Sequence, residues 1–173
     1  MRRHLVSSLK LALIFLAFHQ SAFSEEFSGI AVPENSTIVL AVAAEGVQIY
    51  ESKPHPGGGF QWSLKAPDAL LKNAYGEVVG KHGAGPSWTL NDGSSIVGSL
   101  PPLQNVAADS RSIPWLLIAV ESKSGSGTLE KVDYVMRVAT EGGTAPIESP
   151  KVEAATAKVK YRAIYIFLRG LNG

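Results

Sequence analysis

The sequence predicts an all-β protein, a single-domain antiparallel β-sandwich or barrel of about nine short strands. Two observations favour this class: short apolar or alternating segments recur at intervals of roughly 8–12 residues, and turn residues separate them. A third observation excludes the main competitor, because a βαβ fold needs several helical segments of roughly 10–15 residues and the chain shows none. The 173 residues are 45% hydrophobic and 18% charged, which also excludes a disordered chain.

The strands of the first half are indicated by β-branched residues and by alternation. Thr37–Ala44 is β-branched and apolar, as buried strands are, and Glu45-Gly46 breaks it. Val47–Glu51 and Phe60–Leu64 alternate in polarity, and a loop rich in proline and glycine lies between them. Pro67–Asn73 is the one helix-like piece, and it is too short to define a class. Three short strands are then expected at Glu77–Lys81, Ser87–Leu90 and Ser95–Leu100.

The second half of the chain contains a hairpin signal and the most apolar strand. Asn91-Asp92-Gly93 predicts a tight hairpin of type I′, whose central residues must tolerate positive φ. Pro101–Ser112 is expected to be a loop. In Leu129–Val138 the alternation places Met136 on the inner face and Arg137 on the opposite face. The remaining predicted strands are Trp115–Glu121 and Val159–Leu168.

The first 24 residues have the pattern of a secretory signal peptide. Basic residues precede an unbroken apolar run, Leu11–Phe18, and the small residues Ala22 and Ser24 stand just before a cleavage site at Glu25. The run would rise about 12 Å as a helix, far short of the ~30 Å hydrocarbon core, so no stable membrane anchor is expected. We therefore expect residues 25–173 to form one secreted or periplasmic domain.

Composition excludes several kinds of chemistry. The chain has no cysteine, so disulfides, thiol nucleophiles, cysteine-ligated zinc and iron–sulfur clusters are all excluded. A formal charge of +1 provides no basic field for nucleic acid. Beyond the signal segment the only histidines are His55 and His82, and no metal-ligand spacing joins them. We expect no metal, no cofactor and no catalytic triad, and nothing in the sequence indicates an oligomeric state.

His82 and Trp88 are the first two candidate ligand-binding residues. His82 lies beside the glycine-rich turn 83–86, where a histidine can act as a general base or anchor a ligand. The alternative is a hydrogen bond from the ring to the backbone of that turn. Trp88 lies close to His82 in sequence, and aromatic side chains with a few polar groups line many sugar and small-molecule sites. The alternative for Trp88 is core packing.

Three more residues complete the candidate set. Trp62 belongs to the same aromatic group, which also includes Tyr50 and Tyr165. Arg137 carries the planar fork that binds an anion or a carboxylate, and its alternative role is a cross-strand ion pair. Asp92 is a candidate partner for His82, and its alternative role is that of a turn residue.

Seven motifs, taken in order, are similar to one family. They are VQIYES (47–52), W-x-L-K-A-P (62–67), G-x-H-x-A-G-P-S-W (80–88), DGS (92–94), IPWLL (113–117), R-V-x-T-x-G-G-x-A-P (137–146) and Y-x-A-x-Y-x-F (161–167). Together they resemble the domain-of-unknown-function family 3455, exported proteins of bacteria and fungi, over about residues 30–168. The resemblance implies a secreted, mostly β, single domain, and it implies no established activity.

The chain departs from the pattern of that family at several positions. The family usually has a cysteine where Ser52 stands and a second one near Ser149-Pro150, which implies that the two pair with each other in relatives. It also tends to have a tyrosine at Gly83 and an acid at Thr89. If the implied pairing holds, Ser52 should lie close to Ser149-Pro150 although both sulfurs are missing here.

These features together favour an exported, non-catalytic protein that binds a small molecule, a carbohydrate or a surface partner. Two alternatives stay open: a small secreted hydrolase or lyase that uses His82 with a carboxylate, and a structural envelope or matrix protein. One observation separates the three. A pocket that holds His82 and Trp88 without an acid favours binding, an acid within hydrogen-bond reach of His82 favours catalysis, and the lack of any pocket favours the structural role.

Overall fold

The computed structural model describes residues 29–171. Within residues 29–171, every strand belongs to the compact unit that begins at Val32. The predicted signal peptide and its cleavage site lie outside the described residues, so both stay predictions. The described part contains no α-helix, and its one helical element is a single 3₁₀ turn at Thr128–Lys131.

In the part of the chain that the structure describes, nine antiparallel strands form one sheet, which confirms the predicted all-β class. In chain order they are β1 Ser36–Pro54, β2 Phe60–Lys72, β3 Val78–Gly83, β4 Ser87–Leu90, β5 Ser95–Gly98, β6 Gln104–Val106, β7 Trp115–Ser124, β8 Tyr134–Gly142 and β9 Thr156–Gly170.

Strand pairing closes this sheet into a barrel. Across the sheet the order is β5-β4-β3-β2-β1-β9-β8-β7-β6, and β5 also pairs with β7. Two neighbours share β7: β6 pairs with its first part, 115–117, and β5 pairs with its later part, 120–124. Eight strands therefore form a closed ring, and β6 extends the sheet beside β7. The first half of β2 pairs with β1 alone, because β3 pairs only with Ala69–Lys72.

The core fills the interior of the ring, because alternate side chains of each strand point inward. On β9 the inward residues Tyr161, Ala163, Tyr165 and Phe167 are all at most 3% exposed. They pack in one cluster with inward residues of the other strands. Among these are Val42 and Ala44 of β1, Leu71 of β2, Trp88 of β4, Ile96 of β5 and Ile118 of β7.

Two predictions for the first half of the chain are wrong for the same physical reason. Glu45-Gly46 does not break the first strand, because β1 runs through it and pairs with both β2 and β9. A Cβ on Gly46 would lie 2.2 Å from the carbonyl oxygen of Asp68, so glycine here allows close approach of β2. The helix-like piece Pro67–Asn73 is the second half of β2 through Lys72, since long-range pairing with β1 overrides local propensity.

Three boundaries in the second half also differ from the prediction. The expected loop 101–112 contains the short strand β6, and the expected strand 129–138 begins with a 3₁₀ turn before β8 starts at Tyr134. The hairpin at Asn91-Asp92-Gly93 is confirmed, but its type is wrong. Only Gly93 has positive φ (91°), and its N–H donates to the carbonyl of Leu90 over 3.1 Å, as in a type I turn followed by a glycine bulge.

The sequence predicts that Met136 lies on the inner face of β8, and this prediction is wrong. Val135 pairs with Phe167 and Arg137 pairs with Tyr165, and cross-strand partners share a face. Since Phe167 and Tyr165 belong to the core cluster, Val135 and Arg137 face the interior and Met136 does not. The misassignment arises because both faces of this strand carry apolar residues, so alternation alone does not identify the inner one.

Candidate functional site

A cavity of about 420 Å³ lies within the wall of strands that carries His82 and Trp88. Apolar side chains dominate its lining, among them Pro67, Pro86, Pro102, Ile113, Leu116 and Ile118. Leu64 and Leu100 also line it and are 55% and 68% exposed, so they mark its opening to solvent. The volume lies at the lower end of the roughly 300–1,000 Å³ typical of small-molecule sites.

His82, on β3, is a neutral histidine built into the cavity wall. Its side chain is 3% exposed, and Nδ1 lies 2.9 Å from the carbonyl oxygen of Ser87. A carbonyl can only accept, so Nδ1 carries the proton and Nε2 keeps its lone pair. Burial lowers the pKa of His82 from 6.5 to about 4, against an opposing effect of the Ser87 hydrogen bond, and nearby Arg137 lowers it further. The ring therefore bonds to the backbone at Ser87, the first residue after the 83–86 turn that the alternative named.

Trp88, opposite His82 on β4, joins the core to the cavity. The two rings stack with centroids 4.7 Å apart and planes 11° apart. Its indole meets Tyr165 and Phe167 edge-on, with centroids 5.6 Å and 6.2 Å away. A Cβ on Gly98 would lie 2.6 Å from Ile118 Cγ2 and 3.2 Å from the Trp88 ring, so the glycine makes room for both side chains. Trp88 therefore packs in the core and also lines the cavity.

Arg137, on β8, is the arginine that lines the cavity. Nε and Nη2 donate to the carbonyl oxygen of Pro114 over 3.1 Å and 2.9 Å. The cross-strand alternative is wrong, because the residues paired with Arg137 are Leu116 and Tyr165 and no ion pair among residues 29–171 includes it. A guanidinium has five N–H groups, so Arg137 keeps donors beyond the two that bind the Pro114 carbonyl.

Gln48, on β1, is a buried amide without a partner. Its side chain is 1% exposed and lines the cavity, yet neither Oε1 nor Nε2 has a hydrogen-bond partner within the described part of the chain. An unpaired buried polar group costs about 1–3 kcal/mol. This amide is therefore a polar group of the cavity wall whose hydrogen-bonding capacity the described part of the chain does not use.

Tyrosine hydroxyls add further polar groups near Gln48. Tyr50 donates to the carbonyl of Gly143 over 2.6 Å, and burial raises the pKa of this phenol. The hydroxyls of Tyr161 and Tyr165 lie near enough to influence each other's pKa, but neither makes a hydrogen bond of acceptable geometry within residues 29–171. Burial raises the pKa of both, so the phenols are protonated donors.

Asp92 lies in the turn between β4 and β5, away from the cavity lining. Its carboxylate accepts hydrogen bonds from the hydroxyl and the N–H of Ser94 and from the N–H of Thr128. The same bonds, that of the Ser94 hydroxyl first, hold the pKa of Asp92 well below its usual value. Asp92 thus has the role of a turn residue and does not partner His82.

Trp62 also lies outside the cavity lining. Its indole donates to the carbonyl of Glu148 over 2.9 Å. Ser52, its partner across the strands, exchanges backbone hydrogen bonds with Ala154 and Ala155. Trp62 therefore helps to hold the segment 148–155 against the β1–β2 hairpin.

No carboxylate lines the cavity, and no acid among residues 29–171 is hydrogen-bonded to His82. Within the same described range, no three histidine, aspartate or glutamate side chains group closely enough to hold a metal ion. No helix between residues 29 and 171 is long and apolar enough to span a membrane.

The sequence indicated five candidates; the structure brings three of them, His82, Trp88 and Arg137, to one cavity and leaves the other two outside its lining. It did not indicate Gln48. The available signal was the alternation of Val47–Glu51, which places Gln48 on the same face as Tyr50. Recognising that face as inward needed the pairing of β1 with two neighbours.

The fold is a small, closed, antiparallel β-barrel, and its wall contains a mostly apolar cavity. A family model described as a protein of unknown function (DUF3455) matches residues 33–169, and the chain belongs to that family. The family predicted from the seven motifs is thereby confirmed. No curated protein and no solved structure matches the chain.

Proposed function

We propose that the protein is an exported, non-catalytic binding protein that takes a small, mostly apolar molecule into the barrel cavity. The observation that carries this proposal is Gln48, a buried amide in the cavity wall whose donor and acceptor are both unpaired. A fold gains nothing from such a group, because an apolar side chain of similar shape would avoid its desolvation cost. A ligand that pairs with the amide would explain why it is there.

Three features of the cavity support binding over catalysis. The pocket holds His82 and Trp88, and no acid lines it, which is the arrangement expected of a binding site. A hydrolase or lyase would need a carboxylate near His82 to orient or charge the ring. A purely structural envelope or matrix protein would have no use for unpaired polar groups around a cavity of this size.

Export rests on the amino-terminal pattern alone. A basic start, the apolar run Leu11–Phe18 and small residues before Glu25 are typical of a cleaved signal peptide. We include secretion or periplasmic export in the proposal on that basis.

The test replaces Gln48 with methionine, which has a similar length and no hydrogen-bonding amide. The exposed Gln61→Met is the matched control. Q48M should raise the melting temperature of the purified protein, because it removes an unsatisfied buried amide. It should also reduce the thermal shifts that wild type shows in a panel of maltose, octyl glucoside, decanoate and 2-naphthoate, since bound ligand stabilises by mass action.

Two results would count against this function. If no compound in the panel shifts the melting temperature of wild type, the cavity does not bind these classes. If Q48M binds as well as wild type and melts at the same temperature, Gln48 is not a ligand contact and the carrying observation fails.

A further inference from the structure

If the proposed function holds, the charge of the cavity lining indicates which chemical class of ligand the cavity binds. Arg137 is half-buried, and no acid pairs with it within residues 29–171. The other cation of the lining, Lys65, is already paired with Glu51, with 2.9 Å between Nζ and Oε1. The lining therefore carries one uncompensated positive charge, and a partly desolvated cation is costly without a counter-charge.

The neutral polar groups of the lining point to the same chemistry. Arg137 keeps N–H donors beyond the two that bind the Pro114 carbonyl. Gln48 adds an unpaired amide N–H, and Tyr165 adds a protonated hydroxyl close to Tyr161 and Arg137. The acceptors of the lining include the Oε1 atom of Gln48, the Oδ1 atom of Asn105 and the lone pair of His82 Nε2. An excess of donors around a single cation suits a group that is anionic and accepts several hydrogen bonds.

The volume of the cavity limits the size of the ligand, and its apolar walls limit the chemical character of the part of the ligand that contacts them. A volume of about 420 Å³ lies at the lower end of the range typical of small-molecule sites, so it suits a small ligand. The proline, leucine and isoleucine walls offer no further charged partner, which disfavours a dianion or a sugar. An aliphatic or aromatic body with one negative head group fits both the walls and the charge.

We propose that the ligand is a monocarboxylate with an apolar body, whose carboxylate binds the guanidinium of Arg137 while the body packs along the apolar walls near His82 and Trp88. Gln48 and Tyr165 supply additional donors to the carboxylate region. A guanidinium binds a carboxylate through two parallel hydrogen bonds, which a neutral amide of the same shape cannot reproduce.

The experiment compares 2-naphthoate with 2-naphthamide by isothermal titration calorimetry at pH 7.5, with decanoate as a second body. The two naphthyl compounds have nearly the same shape and differ in the charge of the head group. Wild type should bind the acid at least about tenfold more tightly than the amide, as a charge-assisted pair requires. Arg137→Gln should bring the two affinities within about threefold of each other, and Arg137→Lys should keep a preference for the acid.

The controls separate charge from folding. Arg162→Gln removes an exposed arginine that pairs with Glu45 on the outside of the barrel, and it should leave the preference for the acid unchanged. Because the preference is a ratio within one variant, partial loss of stability in Arg137→Gln does not imitate the expected result. Equal binding of acid and amide to wild type overturns the monocarboxylate proposal and leaves the binding function intact.

Two other outcomes are equally decisive. If maltose or octyl glucoside binds and both acids fail, the ligand class is wrong and the protein is still a binding protein. If none of these compounds binds wild type, the monocarboxylate proposal and the proposed function fail together.

Discussion

Acidification from pH 7.5 to 4.5 should destabilise the barrel chiefly through His82. In the folded protein burial lowers the pKa of this ring to about 4, whereas an unfolded chain leaves it near 6.5. Between these two values the unfolded state takes up a proton that the folded state does not. The stability contributed by neutral His82 is therefore complete above pH 6.5, falls as the pH drops, and levels off below about pH 4.

The size of this effect follows from the two pKa values. At about 1.36 kcal/mol for each pH unit, the difference between 6.5 and about 4 corresponds to a ceiling of about 3 kcal/mol. Roughly 2.5 kcal/mol of it should be lost by pH 4.5. The carboxylates whose pKa is lowered by hydrogen bonds or ion pairs, such as Asp92 and Glu45, lose their contribution mainly at lower pH. The His82 effect is thus separable from general acid unfolding.

The assay is urea unfolding at pH 7.5 and pH 4.5, on wild type and on His82→Phe. Phenylalanine keeps a ring against Trp88 and does not titrate, so the variant should lose most of the pH dependence, although the lost bond to Ser87 lowers its stability at pH 7.5 by about 1 kcal/mol. His55→Gln, in an exposed loop, controls for removal of a histidine as such. A pH dependence of equal size in wild type and His82→Phe would refute the assignment of a neutral, buried His82.

Three further predictions concern other parts of the chain. Asp92→Ala should lower the free energy of unfolding in urea by about 1–2 kcal/mol, because the carboxylate accepts three hydrogen bonds in an exposed turn. Asp92→Asn should lower it by less. An unchanged urea midpoint for Asp92→Ala contradicts this prediction. Cysteines at 52 and at either 149 or 150 should oxidise to a bridge worth roughly 4–5 kcal/mol in the chain-entropy model, and failure of both pairs to oxidise argues against the implied pairing. Intact mass of the exported protein should correspond to a start at Glu25, and a retained amino terminus in the membrane fraction would oppose export with cleavage.

Strands were predictable where the local residue pattern agrees with the strand pairing in the fold. Alternation in Phe60–Leu64 and the apolar run in Trp115–Glu121 identified strands that the structure contains. Prediction failed at Gly46 and at Pro67–Asn73, where local residues favour a break or a helical turn but pairing with a neighbouring strand decides the outcome. Closure of the barrel through β5 and β7 depends on register between distant segments, which no local pattern contains.

The site was predictable to a smaller extent. The position of His82 beside a glycine turn and the short spacing to Trp88 indicated two neighbours, and the structure stacks them. The sequence indicated Arg137 as a candidate but placed it on the wrong face of β8. Both faces of this strand carry apolar residues, so the residue pattern does not determine which face is buried. Gln48 was missed, since a single polar residue in an alternating strand is more often exposed than buried.

A crystal structure of the protein grown with saturating 2-naphthoate tests the central claim most directly. The account predicts the naphthyl ring within the cavity along the wall of His82 and Trp88, and the carboxylate within hydrogen-bond distance of the Arg137 guanidinium. A cavity that contains only water at saturating 2-naphthoate, or a ligand seated on the outside of the barrel, would contradict it.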